Sequence, residues 1–568
     1  MNSIGHAQRC IHVMAVMGFV FCIFVMRLFY LQLYLQDIFF KKAQKNFTRT
    51  STIPPQRGNI LDCHGTLLAT NRPITMLYWH GSGNRQLSAE QTALLAHLST
   101  ILNKDMQETE FLTRLKYAER MAREIMIIHD IPLELLSKVM EKFPNHPNLS
   151  VREETKRLYP HHTIACHTLG YIGSMQESGK MGLEYLFETN LRGQEGQRMT
   201  MINSLGSSLR QEELSKAFSG ENIQTTLDLN LQKIAERCFD KNLSGAFILI
   251  DPLSGALKAM FSRPTFDPNI FLEPLDQETW NSLQSKRPFL NRCFNATYPP
   301  ASLFKVVTMS AALELDIINH DTTSLCSGYI EFGGRRYHCN KRAGHGELSI
   351  TEWIAKSCNI PFYEIGKRIS IDQLADYAFR FGLGQKTDVV FGEQSGLVPT
   401  SVWKQETKGE RWWPGETLSA TIGQSYFLAT PIQVARMIGS IFTGYLAKPR
   451  ILMNEPIMRT DLAMKPETRK VLKKSLKSVV TQGTGSYVST VQDIKIYAKT
   501  GTAQISSLAK RWRDAQYKEH AWFVSYFTYK DEDPLVLVLL VEHAGTSRAA
   551  TSIAKRFLMN YRSYKEKA

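Results

Sequence analysis

Three short motifs follow one another along this chain: Ser302-Leu303-Phe304-Lys305, Ser357-Cys358-Asn359 and Lys499-Thr500-Gly501-Thr502. Each alone recurs by chance. In this order they describe an acyl-transfer site built on a serine, so the chain must fold to bring distant segments together. A serine hydroxyl is a weak nucleophile at neutral pH and needs a base beside it. Residues three apart share a helix face, so a helical turn puts Lys305 next to Ser302. Pro299-Pro300 suits entry into that helix, and residues 306–315 read as its apolar continuation. The positive end of the helix then lies near any oxyanion formed at Ser302. Lys305 takes the serine proton if burial and a nearby cation, Lys499, keep it neutral. Ser357 can relay a proton between nucleophile and leaving amine, and Asn359 can bind a substrate amide. Residues 496–504 read as a strand in which Gly501 admits a substrate backbone. Thr500 and Thr502 can hold a terminal carboxylate, and the amides of Ser302 and Thr502 are candidates for an oxyanion hole.

At 568 residues the chain is too long for one core, so two or more folded units are expected. Residues 11–26 form a dense apolar run, interrupted by Arg27 and resumed over 28–35. With Arg27 snorkelling to the interface, this stretch reaches the roughly 20 residues that a membrane span needs. No small-x-small cleavage pattern follows it, which favours an uncleaved anchor over a signal peptide. Arg9 precedes the span and Lys41, Lys42, Lys45 and Arg49 follow it, so flanking charge alone points the body inward. The acyl-transfer chemistry on an external substrate overrides that hint. Residues 52–228 read as mixed α/β, with amphipathic helices over 88–102, 108–125 and 132–143. Residues 229–238 read as the first helix of the catalytic region, with strands over 246–250 and 256–261. A hairpin over 521–529 and 534–542 and a helix over 551–562 close the chain. Strands at both ends around a helical middle fit an antiparallel sheet covered by helices, an α/β (α+β) fold.

On these motifs the chain resembles the penicillin-binding proteins, and the match extends beyond them. Arg57-Gly58-Asn59-Ile60-Leu61-Asp62 with Gly65-Thr66-Leu67-Leu68-Ala69 resembles the first class B signature. Tyr159-Pro160, His167 and Gly170-Tyr171-Ile172-Gly173 resemble the second, and Gly182-Leu183-Glu184 with Leu191-Arg192-Gly193 the third. Gly344-His345-Gly346, Gly396-Leu397-Val398-Pro399-Thr400, Trp403-Lys404, Gly415-Glu416-Thr417 and Ile422-Gly423-Gln424 resemble the elongation type more than the division type. Ala301 and Ser425 stand where the family usually has glycine. The resemblance implies a cytoplasmic tail (1–10), a membrane anchor (11–35), a non-catalytic, dimerisation-type pedestal (36–228) and a penicillin-recognising transpeptidase domain (229–568). It places the body in the periplasm on a single-pass inner-membrane anchor.

Nine cysteines are an odd number for an extracytoplasmic body. Cys63, Cys166, Cys238 and Cys293 read as buried small hydrophobes. Cys326, Cys339, His345 and Cys358 offer three thiolates and one imidazole, a tetrahedral structural zinc set. The rival is one disulfide, Cys326 to Cys339, with a spare thiol. Some elongation-type members hold zinc at corresponding positions, which the resemblance carries over as an expectation. No organic cofactor is expected.

The expected function is a peptidoglycan D,D-transpeptidase of cell elongation, acting on stem peptides through a Ser302 acyl-enzyme and acylated by β-lactams. The alternatives are a division-specific transpeptidase and a non-enzymatic membrane β-lactam sensor. A β-lactamase needs a base for a deacylating water, and no motif supplies one. By resemblance the partners are the membrane, a RodA-type glycosyltransferase and elongation scaffold proteins. The net charge of +15 suits anionic wall polymer or headgroups, and no motif supports nucleic acid binding.

Overall fold

The computed structural model describes residues 3–106, 108–173, 178–202, 208–390, 392–504, 518–530 and 532–567. Met1 and Asn2 of the expected tail lie outside them. The expected apolar anchor is a helix, Ser3–Phe29, whose last turns run on through a π-helical stretch, Tyr30–Tyr34. Cys10–Tyr34 is long and apolar enough to cross a membrane, with a mean hydropathy of 2.2 and no buried share.

The chain divides into two compact units, each gathered from separate stretches: Met1–Gln56, Asn71–Lys156 and Gly193–Gly220, and then Arg57–Thr70, Arg157–Arg192 and Glu221–Ala568. In the first, Gly196–Ile202 pairs with Thr48–Ile53 on one side and Ser208–Ser215 on the other, both antiparallel. Its helices Ala89–Leu102, Thr109–Arg120 and Leu133–Lys142 pack a core around Leu77, Trp79, Leu94, Leu98 and Leu115. The helix expected over 108–125 stops at Arg120. Ala122 takes a left-handed φ of 48°, and Glu124–Ile128 leaves as a strand. Its isoleucine-rich run suits a pleated surface better than a helix.

The second unit is built on an antiparallel five-stranded sheet. In spatial order its strands are Leu257–Arg263, Gly245–Ile250, Leu535–Val541, His520–Tyr529 and Ile494–Ala503. Side chains alternate between the faces of a strand. Leu535, Leu537, Leu539 and Val541 enter one core, with Phe557 and Leu558 of the helix Arg548–Lys567 and Ala235 of Leu229–Cys238. Val536, Val538 and Leu540 enter the other, with the apolar helices Lys305–Glu314 and Pro431–Thr443. Both faces are therefore covered, as the α+β expectation requires.

The three signature segments converge within this unit on one buried carboxylate. Glu184, with no exposed surface, accepts from Arg57 Nε at 2.7 Å, Arg157 Nε at 2.7 Å and the Tyr159 hydroxyl at 3.1 Å. Arg57 also reaches Glu188 at 2.6 Å. His167 is buried, with its Nε2 2.7 Å from the Pro288 carbonyl oxygen.

Candidate active site

Ser302 sits on a short 3-10 turn, Ala301–Leu303, that feeds into the helix Lys305–Glu314. The expected single α-helix is thus tightened at its start. The backbone accounts for this: Phe304 N–H donates to Ala301 O at 2.9 Å, and Ala301 N–H donates sideways to Gly423 O at 3.0 Å. Ala301 has a φ of 49° and Ser425 a φ of 70°, a region that favours glycine. The two departures from the family pattern therefore fall where the backbone is left-handed. Gly423 packs so closely that an added Cβ would stand 2.3 Å from Ala301 O.

Ser302, Ser357, Asn359, Thr500, Gly501 and Thr502 line one cleft of 1020 Å³. Lys305 and Lys499 lie behind it, fully buried. Lys305 Nζ donates to Ser357 O at 2.7 Å, Ser357 Oγ at 3.3 Å and Asn359 Oδ1 at 2.7 Å. Lys499 Nζ donates to Ser357 Oγ at 3.1 Å and Thr500 O at 2.9 Å. The Ser357 hydroxyl thus touches both lysines.

Burial lowers Lys305 to about 8, against the opposing pull of Cys358 and Cys339. Burial, and then the neighbouring Lys305, push Lys499 well below the usual lysine range. Desolvation disfavours an ammonium because the charged form loses its hydration. Burial therefore lowers both lysines, and repulsion between them adds to the effect at Lys499.

Lys499 to Thr502 lie on the edge strand Ile494–Ala503, with Gly501 opposite Trp522. A Cβ on Gly501 would stand 3.2 Å from Trp522 Cβ and 3.3 Å from Leu303 Cγ. The glycine therefore also makes room for the turn that carries Ser302. The motifs did not single out Thr484, whose hydroxyl lies 2.6 Å from that of Thr500. Its sequence signal is the flanking pair Gly483 and Gly485. Trp413, Gln424 and Ser547 also line the cleft.

Cys326, Cys339, His345 and Cys358 come together as expected, their donor atoms all within 4.8 Å of one another. Cys326 and Cys339 Sγ each lie 3.5 Å from His345 Nδ1, and Cys339 Sγ lies 3.6 Å from Cys358 Sγ. All three cysteines are free thiols, so the structure contains the cluster and not the rival disulfide. The hydrogen bond from Cys358 holds Cys339 low, and the same contact pushes Cys358 up. Ser357 has a φ of 52°, and this kink turns Ser357 to the lysines while Cys358 faces the cluster.

The penicillin binding protein transpeptidase domain matches residues 245–559. The chain belongs to the penicillin-binding protein transpeptidase family. The resemblance read from the motifs is borne out, and with it the expectation of an enzyme. The penicillin-binding protein dimerisation domain matches residues 52–225. The peptidoglycan D,D-transpeptidase MrdA of Acinetobacter baumannii is 29% identical, over 94% of this chain and 85% of that protein. A complex between penicillin-binding protein PBP2 and MreC from Helicobacter pylori contains a similar chain, with a TM-score of 0.78 and 28% identity over 92% of this chain and 100% of that one. A peptidoglycan synthase complex that coordinates polymerization and crosslinking contains another, with a TM-score of 0.75 and 29% identity over 99% of both chains.

Proposed function

We propose that this chain is an elongation-type peptidoglycan D,D-transpeptidase in which Ser302 is the nucleophile. The observation that carries the reading is the Ser357 hydroxyl, held by both buried lysines on the wall of the cleft that Ser302 lines. Ser302 Oγ attacks the carbonyl of the D-Ala-D-Ala bond as neutral Lys305 takes its proton. The Ser302 and Thr502 amides receive the oxyanion, and Ser357 passes a proton to the leaving D-alanine amine. An amine from a second stem peptide then attacks the acyl-enzyme, and Ser302 regains its proton. Asn359 binds the substrate amide. The Thr500, Thr502 and Thr484 hydroxyls hold the terminal carboxylate. A β-lactam enters as a mimic of the D-Ala-D-Ala bond.

The division into a 36–228 pedestal and a 229–568 transpeptidase region is part of this reading. So is placement of the body in the periplasm of a bacterial cell, on a single inner-membrane helix. An MreC-type scaffold and a polymerising glycosyltransferase are the proposed partners, on the strength of the two solved complexes. The Cys326, Cys339, His345 and Cys358 donor set fits zinc, which takes four sulfur and nitrogen ligands in structural sites. With all four positions filled by protein, such an ion would pin the Ser357 to Asn359 loop from behind.

Labelling with a fluorescent penicillin tests the nucleophile. The wild type should label covalently and a folded Ser302→Ala variant should not. Persistent labelling of that variant would put the nucleophile elsewhere.

A further inference from the structure

Cys63 was expected to be a buried small hydrophobe, but it is half-exposed, beside a histidine and a carboxylate. Cys63, His64 and Asp228 bring one sulfur, one imidazole nitrogen and one carboxylate oxygen within 4.8 Å of one another. We infer that these three residues form a second metal site, for a divalent cation of the zinc class. It is separate from the four-residue cluster, and among the described residues no fourth protein ligand joins it.

The backbone holds the donors in place. Asp62 ties the turn that carries Cys63 and His64: its Oδ1 accepts from the N–H groups of His64 at 2.9 Å and Thr66 at 2.7 Å. Its Oδ2 accepts from Leu229 N–H at 3.2 Å, which fixes the turn to the start of the helix Leu229–Cys238. Cys63 N–H donates to Leu227 O at 2.7 Å. Asp228 caps that helix with one oxygen only: Oδ1 accepts from Asn230 N–H at 2.8 Å and Leu231 N–H at 3.0 Å. Oδ2 is left facing His64 Nε2 at 3.4 Å, close to the separation of neighbouring ligands on a tetrahedral ion with bonds of about 2.0–2.2 Å. Both ligand-bearing segments are therefore anchored before any ion arrives, which limits the ordering cost of binding.

The donor chemistry selects the ion. A thiolate, an imidazole and a carboxylate together suit zinc and its neighbours, whereas calcium and magnesium take oxygen. The charged groups acting on Cys63 are the carboxylates of Asp228 and Asp62 and the ammonium of Lys258, an excess of negative charge. Binding exchanges the Cys63 thiol proton for the metal, and the proton leaves to solvent. The His64 side chain is 60% exposed, so the remaining coordination position opens to water. A bound ion would clip the turn after Asp62 to the helix cap.

The test uses the full-length chain in detergent, reduced, stripped with chelator and titrated with Co²⁺, whose thiolate bonds absorb in the near ultraviolet. Neither Cys63 nor His64 belongs to the proposed catalytic machinery, so penicillin labelling verifies that each variant is folded. Cys63→Ser and His64→Ala should each bind one equivalent fewer than the wild type. Cys339→Ser should retain an equivalent that disappears when Cys63→Ser is added. Equal stoichiometry in the wild type and the folded Cys63→Ser variant would overturn the site.

Discussion

Lys305 and Lys499 meet on a single acceptor, the Ser357 hydroxyl, at 3.3 and 3.1 Å. Two ammonium groups that close in a dry site repel strongly, so protonation of one suppresses the other. Burial lowers both lysines, and Lys305 Nζ already has three oxygen acceptors. The arrangement suits a shared proton that moves through Ser357.

Acylation should therefore follow deprotonation of Lys305. Only the neutral amine accepts the serine proton, so the rate rises with pH below about 8 and levels off above it. Stopped-flow acylation by a chromogenic penicillin between pH 6 and 10 checks this, and a flat profile would assign the base elsewhere. Lys305→Ala should slow acylation by about 10²–10⁴-fold.

Gly423→Ala should cost most of the labelling rate. Its new Cβ would press on Ala301 O and shift the turn that carries Ser302. Ala301→Gly should act in the opposite sense on stability, by about 1 kcal/mol, because glycine accepts the 49° φ without strain. Thermal melts of the two variants beside their labelling rates separate the effects.

Glu184→Gln should destabilise the second unit by about 3–5 kcal/mol, since it leaves the Arg57 and Arg157 guanidiniums facing a neutral amide. Ser302 should still label in whatever fraction stays folded. Urea unfolding of the variant against the wild type measures the loss.

His167 makes stability depend on pH. Burial lowers it to about 4 from the usual 6.5, so the unfolded chain binds a proton in this window that the folded chain does not. Its contribution is complete above about 6.5 and is lost as pH falls toward 4, at up to about 1.4 kcal/mol per pH unit. Urea midpoints at pH 7.5 and 5 should differ less in His167→Gln than in the wild type. An equal difference would clear His167 of the effect.

Cys358→Ser should lower both the melting temperature and the acylation rate, though it removes no group from the cleft. Metal analysis of protein purified without chelator should find zinc in the wild type and less in the variant. Less than a tenth of an equivalent in the wild type would remove zinc from the account of this loop.

The convergence of the three motifs was legible because each is short and local and their order is distinctive: Ser302, Lys305, Ser357, Asn359 and Lys499 all come together around one cleft. The strands of the large sheet were legible within a residue or two, since short apolar runs between turns mark buried strands. Contacts made across long sequence separations were not. Nothing in Arg57, Tyr159 or Glu184 alone says that they meet, and Thr484 carries no pattern that ties it to Thr500. The false extension of the 108–120 helix came from reading an isoleucine-rich strand with a helical period. The surroundings of Cys63 are not legible locally, because the carboxylate of Asp228 reaches it from a distant part of the sequence.

The pairing of Gly245–Ile250 with Leu535–Val541 has a consequence for synthesis. The strand at the middle of the sheet is made after the other four. Until it exists, Gly245–Arg263 is an apolar hairpin without its inner neighbour, and the edge strand that bears Lys499 has no path to it. Closure of such a long loop is slow, and the open intermediate exposes strand edges prone to mispairing. A chain cut anywhere before Val541 should therefore fail as a whole domain instead of losing only its last helix. The Ser357 hydroxyl likewise gains Lys499, its second lysine partner, only once the strand Ile494–Ala503 has been made and has joined the sheet.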